Sequence, residues 1–230
     1  MRSPVAPRVA AASPWATART RALDRADKRD AVLRTAARLF NENGFHATSL
    51  DDVAERLNVT KPTLYYSVKS KDEILFDCVH AGLDLVRAGI AEAARSGGSA
   101  LDKLRACMRA YADVVTQDFG MCVIRVGEDP LPLARRRKLR QLKAQIDLEF
   151  RKLIEQGIAE GSLEPCDPKL AAFMLAGALS WIGRWYRPDG ELSPDELAER
   201  CIAMLLNGVV RRAPPAAPAK KRAAPRKVAR

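Results

Sequence analysis

The sequence predicts an all-α protein, and three observations carry that expectation. Apolar residues recur three and four apart almost throughout, and no stretch alternates with the period of two that a strand needs. Helix-opening signals recur as well: Thr60 ahead of Pro62, Ser70 with Glu73, Asp167 ahead of Pro168, and the run Ser193-Pro194-Asp195-Glu196. Chain breakers fall between the periodic segments, at Gly44, at Gly97 and Gly98, and at Asp129 to Pro132.

The spacing predicts a first helix from about Asp24 to Asn43, burying Val32, Leu33, Ala36, Leu39 and Phe40 and stopped by Gly44. Thr48 and Ser49 offer caps for the next helix, with Asp51 and Asp52 three residues on. Val53, Ala54 and Leu57 form its apolar side. Asn58 takes a turn position with positive φ, which Asn tolerates better than most residues. Val59 returns to the core, Thr60 caps a second short helix, and Pro62 falls in its first turn, where a missing N–H costs nothing. A longer helix follows from Ser70 to about Arg95. The next runs from Leu101 to Asp118 with Leu104, Cys107, Met108, Tyr111 and Val115 inward, and a short one spans about Met121 to Val126. A long amphipathic helix from Pro132 to Glu160 turns Leu139, Leu142, Ile146, Phe150, Leu153 and Ile158 inward. The helix opened by Asp167-Pro168 is apolar on every side from Leu170 to Gly183, apart from Ser180. The last helix reaches Val210 through Leu197, Ile202, Leu205, Leu206 and Val209. A helix without a polar face needs cover all round. These last two helices are therefore expected to pack on each other and on their copies in a second subunit.

The 230 residues suffice for two modest units. No apolar run reaches the roughly 18 residues of a membrane span, and the first twenty residues lack an apolar signal core. The expectation is a cytoplasmic protein with no membrane partner. Net charge is +11, and it sits at the ends. Residues 1–22 carry Arg2, Arg8, Arg19 and Arg21 without an acid; residues 211–230 carry eight cations without an acid, and the remainder is close to neutral. Both ends are rich in Ala, Pro and basic residues, which predicts disorder. They read as sequence-blind phosphate contacts or as solubilising tails. Cys78, Cys107, Cys122, Cys166 and Cys201 are odd in number, widely spaced and without a C-x-x-C, as expected of reduced thiols. His46 and His80 lie far from any cluster of ligand spacing. No metal site, cofactor, phosphate-cradling Gly loop or nucleophile with an adjacent base is expected, and hence no catalytic residue and no enzyme.

Residues 48 to 71, TSLDDVAERLNVTKPTLYYSVKSK, are the most informative stretch. Two short helices joined by a tight turn make the layout of a helix-turn-helix DNA reader. Lys61, Thr63, Tyr65 and Tyr66 are groups that reach phosphates and base edges. Lys71 sits in the first turn of the following helix, where the helix dipole disfavours a cation, and a bound phosphate there would account for it.

From about Arg25 to Leu75 the chain resembles the TetR family of one-component transcription regulators. The resemblance rests on RDAVLRTAARLFNENGFHATSLDDVAERL before the turn and KPTLYYSVKSKDEIL after it. Its core is Thr60, Leu64, Tyr65, Tyr66, Val68, Ser70 and Lys71. Asn58 and Pro62 stand where many relatives have Gly, Val68 where many have Phe, and Ser67 where His or Tyr is common. The resemblance implies a helix-turn-helix DNA-binding domain over 23–87, with the reader motif at 50–68. It also implies a larger ligand-binding and dimerisation domain over 88–212, between a basic arm at 1–22 and a basic tail at 213–230. It implies a homodimer that places two reader helices in successive major grooves of a palindromic operator on double-stranded DNA. Thr60, Tyr65, Tyr66 and Lys71 would fix position on phosphates, and Lys61, Pro62 and Thr63 would meet base edges. To the capping role of Thr48 and Ser49 it adds a phosphate contact, chiefly from Thr48.

ALSWIGRWYRPDGELSPDELAE, residues 178–199, is similar to the C-terminal region of a TetR subgroup governing lipid, sterol or fatty-acid catabolism through acyl-CoA thioesters. This implies a ligand-responsive repressor with a mainly apolar pocket. Tyr111, Phe119 and Arg125 would line it, with Trp181 or Trp185 near its edge; the two tryptophans also read as interface or core aromatics. The run Arg135, Arg136, Arg137, Lys138, Arg140 and Lys143 reads as a solvated face or as an anionic-ligand contact. An acyl-CoA effector leads. A neutral hydrophobic drug, with an efflux or detoxification operon as the target, is the alternative. A largely non-specific architectural DNA-binding protein using its basic tails is the rival of another class.

Overall fold

The computed structural model describes residues 23–208. The expected basic arm and tail, and the end of the last helix at Val209 and Val210, lie outside the described residues. Among those residues there is no strand, and no helix is long and apolar enough to cross a membrane.

Helix α1 (Leu23–Asn43), α2 (Leu50–Arg56), α3 (Lys61–Tyr65) and the start of α4 (Lys71–Arg95) build the head. Gly44 ends α1 at φ 86°, its N–H donating to the Phe40 carbonyl at 3.0 Å. Ser49 and Asp52 form a reciprocal capping box on α2, and the Ser70 hydroxyl accepts from the Glu73 N–H on α4. Val32, Ala36, Leu39, Phe40, Val53, Ala54, Leu64 and Val68 close a small core under the turn.

The body continues through the rest of α4 with α5 (Ala100–Val115), α6 (Asp118–Arg125), α7 (Leu133–Ala159), α8 (Pro168–Trp185) and α9 (Pro194–Asn207). A second capping box, Ser99 with Asp102, starts α5. The helix expected to run to Asp118 stops at Val115, and Asp118 instead opens α6. The reason lies at Gly120, where a Cβ would stand 1.9 Å from the Val114 carbonyl oxygen. The chain folds back so tightly that only glycine fits, and α5 cannot continue through that corner.

α6 occupies the centre of the molecule, packed against α1, α4, α5 and α8. Its contact with α4 is backbone-close. A Cβ at Gly82 would stand 2.6 Å from both the Phe119 carbonyl oxygen and the Val123 side chain. α8 turns Ala172, Leu179 and Ile182 into the core and leaves Leu170, Phe173, Met174, Trp181 and Trp185 exposed. Within one chain, the all-apolar helix is thus covered on one side only. Cys78, Cys107 and Cys122 are buried, and burial pushes the thiol of Cys107 up to about 11 and that of Cys122 to about 12, so they remain protonated.

Gly82→Ala should force α4 and α6 apart and lower the unfolding free energy by about 1–3 kcal/mol, the usual range for overpacking. Urea denaturation measures it. Wild-type stability in that variant would show that the two helices part without loss.

Candidate nucleic-acid interface

The turn between α2 and α3 forms as the sequence predicts. Asn58 adopts φ 55°, its N–H donates to the Glu55 carbonyl at 2.9 Å, and the Val59 N–H donates to Ala54 at 3.0 Å. Leu64 and Val68 pin the five-residue α3 to the head core. This leaves Lys61, Pro62, Tyr65 and Tyr66 facing out. Tyr66 is 90% exposed, which no packing role explains. Ser49 is exposed beside them, at the start of α2. Thr60 holds the N-cap position of α3, but its hydroxyl pairs with that of Thr63 at 2.8 Å instead of capping the helix. The Lys61 ammonium rests 2.9 Å from Asp51, which raises its pKa through the hydrogen bond and the opposite charge. A phosphate or base acceptor must therefore replace that carboxylate.

Two expected contacts are corrected. Thr48 is 1% exposed, and its hydroxyl donates inward to the carbonyls of Gly44 at 2.9 Å and Leu39 at 3.3 Å. It builds the loop and has no hydroxyl to offer a phosphate. Lys71 needs no phosphate to explain its place against the α4 dipole. Its ammonium donates to the carbonyls of Phe45 and Thr48, each at 2.9 Å, and lies 4.4 Å from the centre of the Phe45 ring. Those carbonyls and the aromatic face supply the negative potential. Lys71 thus ties the α1–α2 loop to the start of α4.

Arg29 is a bracing residue that sequence reasoning missed. Its guanidinium spans three groups, donating to the Ser67 carbonyl, to Glu73 at 3.0 Å and to Asp77. That partner holds the Glu73 carboxyl below its usual range. The clamp fixes the α3–α4 corner, directly behind Tyr65 and Tyr66. Its partners lie 38 to 48 residues away, so no local spacing betrays it.

The five ligand candidates do not share one cavity. Tyr111 packs against the core with its hydroxyl 2.8 Å from that of Ser180 and its ring edge-on to Phe150. Phe119 is a core residue under the Arg34 guanidinium. Arg125 donates to the Gly183 carbonyl at 2.8 Å and to Tyr186 at 3.0 Å, satisfying the open end of α8. Trp181 and Trp185 stand on the exposed face of α8. Side-chain packing fills the region where an apolar pocket was expected. Of the five, only Arg125 borders the larger open cleft, and Arg125 and Trp185 border a smaller recess of about 400 Å³. A cleft of about 1430 Å³ separates α1, the α5–α6 corner and the α8–α9 link, and charged and polar side chains dominate its walls. A recess of about 660 Å³ between α4 and α7 has mainly apolar walls. At the head–body joint, Arg38 meets Asp118 at 2.7 Å and the Asn41 amide donates to the Asp118 carbonyl at 2.9 Å.

Comparison with known proteins agrees with this geometry. Residues 32–78 match the model of bacterial regulatory proteins of the tetR family, and residues 97–209 match that of a tetracyclin repressor-like C-terminal domain. The crystal structure of the TetR family regulator PfmR from Thermus thermophilus superposes with a TM-score of 0.72 at 30% identity, covering 78% of this chain and 99% of that one. The chain belongs to the TetR family. This places it among DNA-binding transcription regulators and not among enzymes. The HTH-type transcriptional repressor KstR2 of Mycolicibacterium smegmatis is 26% identical over 192 residues, 80% of this chain and 91% of that protein. The structure of AibR with isovaleryl coenzyme A and operator DNA aligns with a TM-score of 0.70 at 27% identity, covering 78% of this chain and 98% of that chain.

Two substitutions separate reaching from bracing in this TetR head. Tyr66→Ala should weaken operator binding at least about tenfold with an unchanged melting temperature, because its ring supports no packing. Lys71→Met should lower the melting temperature while leaving the slope of log K against log salt as it is. A slope shallower by about 0.9 would restore Lys71 to the phosphate contacts. Fluorescence anisotropy over a salt series and thermal melts read both.

Proposed function

We propose that this TetR regulator is a homodimeric repressor that binds a palindromic operator through α3 and releases it when an acyl-CoA-like effector enters the body. The targets of such control are genes of lipid or acyl-CoA metabolism, and the site of action is the cytoplasm. The observation that carries the DNA half of the reading is the exposure of Tyr65 and Tyr66 on a short helix braced from behind by Arg29. Lys61, Pro62 and Thr63 at the other end of that helix supply base-edge contacts. Ser49, Thr60, Tyr65 and Tyr66 supply the phosphate contacts.

Dimers are the working form of TetR regulators, and the outer face of α8 is the surface that suits one here. Leu170, Phe173, Met174, Trp181 and Trp185 lie exposed along it, with Met204 exposed on α9. Such a face on an otherwise charged surface marks an association site. A second copy related by a two-fold axis would bury it against itself.

The effector reading draws on AibR, whose complex holds an acyl-CoA, and on the C-terminal string Trp181 to Gly190. KstR2 supports repression over activation. An uncharged lipophilic drug would use an apolar recess alone and leave the Trp181 to Gly190 string without a part, so it ranks second.

Trp181→Glu places a charge at the centre of the proposed interface. Light scattering should report a monomer, and operator affinity should fall at least about tenfold, because one head alone reads half a site. A dimer that persists in this variant moves the interface elsewhere. Titrating isovaleryl-CoA and longer acyl-CoAs into a preformed operator complex tests the effector class. Release is expected; release only by an uncharged lipophile would replace that class.

A further inference from the structure

α7 runs alongside α4 and away from the head. Near its start, the Arg135 guanidinium lies 5.4 Å from the centre of the Phe76 ring and the Lys138 ammonium 5.5 Å from it. Further on, Gln145, Ile146 and Glu149 border the same recess as Ala88, Ala91 and Arg95 of α4. Charge is spread unevenly along α7. Arg135, Arg136, Arg137, Lys138, Arg140 and Lys143 all precede its first acid, Asp147. Beyond that point acids and bases pair, Asp147 with Arg151 and Glu149 with Lys152. The uncompensated cations therefore crowd the end of α7 nearest the head.

Part of this run has a structural task. Arg136 donates to the carbonyls of Leu131 and Asp129, and Arg140 and Lys143 pair with Glu128. Arg135, Arg137 and Lys138 do not share it. Among the described residues none of the three has an acidic partner, and Arg137 and Lys138 are exposed. Arg135 stands in the first turn of α7, where the helix dipole disfavours a cation and no acid offsets it. Arg135 and Lys138 also converge on one ring, where like charges repel. The ring offsets part of that cost; the rest calls for an anion from outside.

The cluster is fixed to the reader head. Phe76 stands on α4 between Glu73 and Asp77, the two carboxylates that Arg29 ties to the Ser67 carbonyl. Lys69, exposed in the α3–α4 corner, donates its N–H to Glu73 at 3.1 Å. A chain of contacts thus leads from Lys69 through Glu73 and, one turn on, Phe76 to Arg135 and Lys138. From Lys71 to Phe76 is about 7.5 Å along α4, at 1.5 Å per residue, a gap that an extended Lys or Arg side chain bridges.

We propose that Arg135, Arg137 and Lys138 form a second phosphate-binding surface, by which the body grips the duplex outside the palindrome that α3 reads. The proposal rests on the reading of α3 as the operator helix and adds a part of the body to the DNA contact. Arg and Lys hold phosphate oxygens through charge-assisted hydrogen bonds and carry no base preference there. An acidic protein would satisfy the same charge. Phosphates of the bound duplex, however, are the anions that the head brings to this end of α7.

The experiment uses the full-length protein and the palindrome that it selects from a pool of random duplexes. One duplex is cut flush with the palindrome, and a second extends it by about one helical turn, roughly 10 base pairs, on each side. Fluorescence anisotropy over a salt series reads wild type, Arg135→Gln/Arg137→Gln/Lys138→Gln and Arg137→Glu. The last alters an exposed side chain without an acidic partner, so the fold survives it whatever the Phe76 contacts contribute. On the extended duplex the triple variant should lose about 0.9 from the slope of log K against log salt for each contact removed, hence about 2 or more for a dimer. Arg137→Glu should weaken that complex at least about threefold. Wild type should prefer the extended duplex to the flush one, the triple variant should lose that preference, and all three should bind the flush duplex alike. An unchanged slope and flank preference in both variants would overturn the proposal and leave α3 as the reader. A loss equal on both duplexes would overturn it as well, because the cations would then act elsewhere than on the flanks. Selection of no palindrome by the wild-type protein would instead remove the reading of α3 on which the proposal stands.

Discussion

The close approach of α6 to its neighbours is the constraint on which the rest of the structure depends. Gly82 lets the α4 backbone touch the Phe119 carbonyl, and Gly120 lets α6 fold back against Val114. Neither contact has slack, since a single methyl group would not fit. The first residue of the same helix, Asp118, is tied to α1 by Arg38 and Asn41. The head is therefore joined to the body through a short rigid piece and not through a flexible link. Packed interiors move between discrete arrangements and do not deform continuously. A change in the position of α6 or α4 must accordingly be felt at α1, and through the head core at α3.

Within the head, cations divide by what surrounds them. Arg29 and Lys71 are committed to carbonyls, carboxylates and an aromatic face, and their task is to hold the α3–α4 corner and the α1–α2 loop. Lys61 has one exposed carboxylate partner, Asp51, and stands at the surface. An exposed ion pair of this kind contributes little to stability and exchanges readily. Cationic side chains thus build the reader in two places and serve its surface in a third, and charge alone does not tell these roles apart.

The difference between what could and could not be read from the chain follows from the range of the interactions. Local signals were legible. Asn58 takes its positive φ, Gly44 ends the first helix, and the opening residues of α2, α4 and α9 cap as their sequences imply. The outward set Lys61, Pro62, Tyr65 and Tyr66 follows from the spacing of Leu64 and Val68. Features that depend on distant partners were not legible. Lys71 looked like a phosphate ligand because the carbonyls it binds lie 23 and 26 residues earlier. The phosphate contact that the resemblance implies for Thr48 fails because its hydroxyl has inward acceptors, which depend on how α1 ends. Tyr111 and Phe119 lie on inward faces, as periodicity implies, yet periodicity does not distinguish a packed wall from an open one. The early stop of α5 had a signal in Gly120, but glycine reads as flexibility until the neighbouring carbonyl is known.

α4 also shows how effector and operator could be coupled without a long relay. Its first turns carry Ile74, Leu75 and Cys78 into the core, where the Cys78 thiol donates to the Leu33 carbonyl of α1. Its later turns form one wall of the α4–α7 recess. One helix of 25 residues is therefore common to the head and the body. Any displacement of α4 would move the Lys71 and Glu73 ends of the braces behind α3, which α4 carries. The energy required is small, because a coupling of about 1–3 kcal/mol shifts operator affinity roughly 5- to 150-fold. In a two-fold dimer the displacement occurs at both heads, so a modest rotation of each α4 changes the separation of the reader helices twice over. The spacing of successive major grooves is fixed by the DNA. The reader pair therefore needs only to lose that match, and neither head has to unfold.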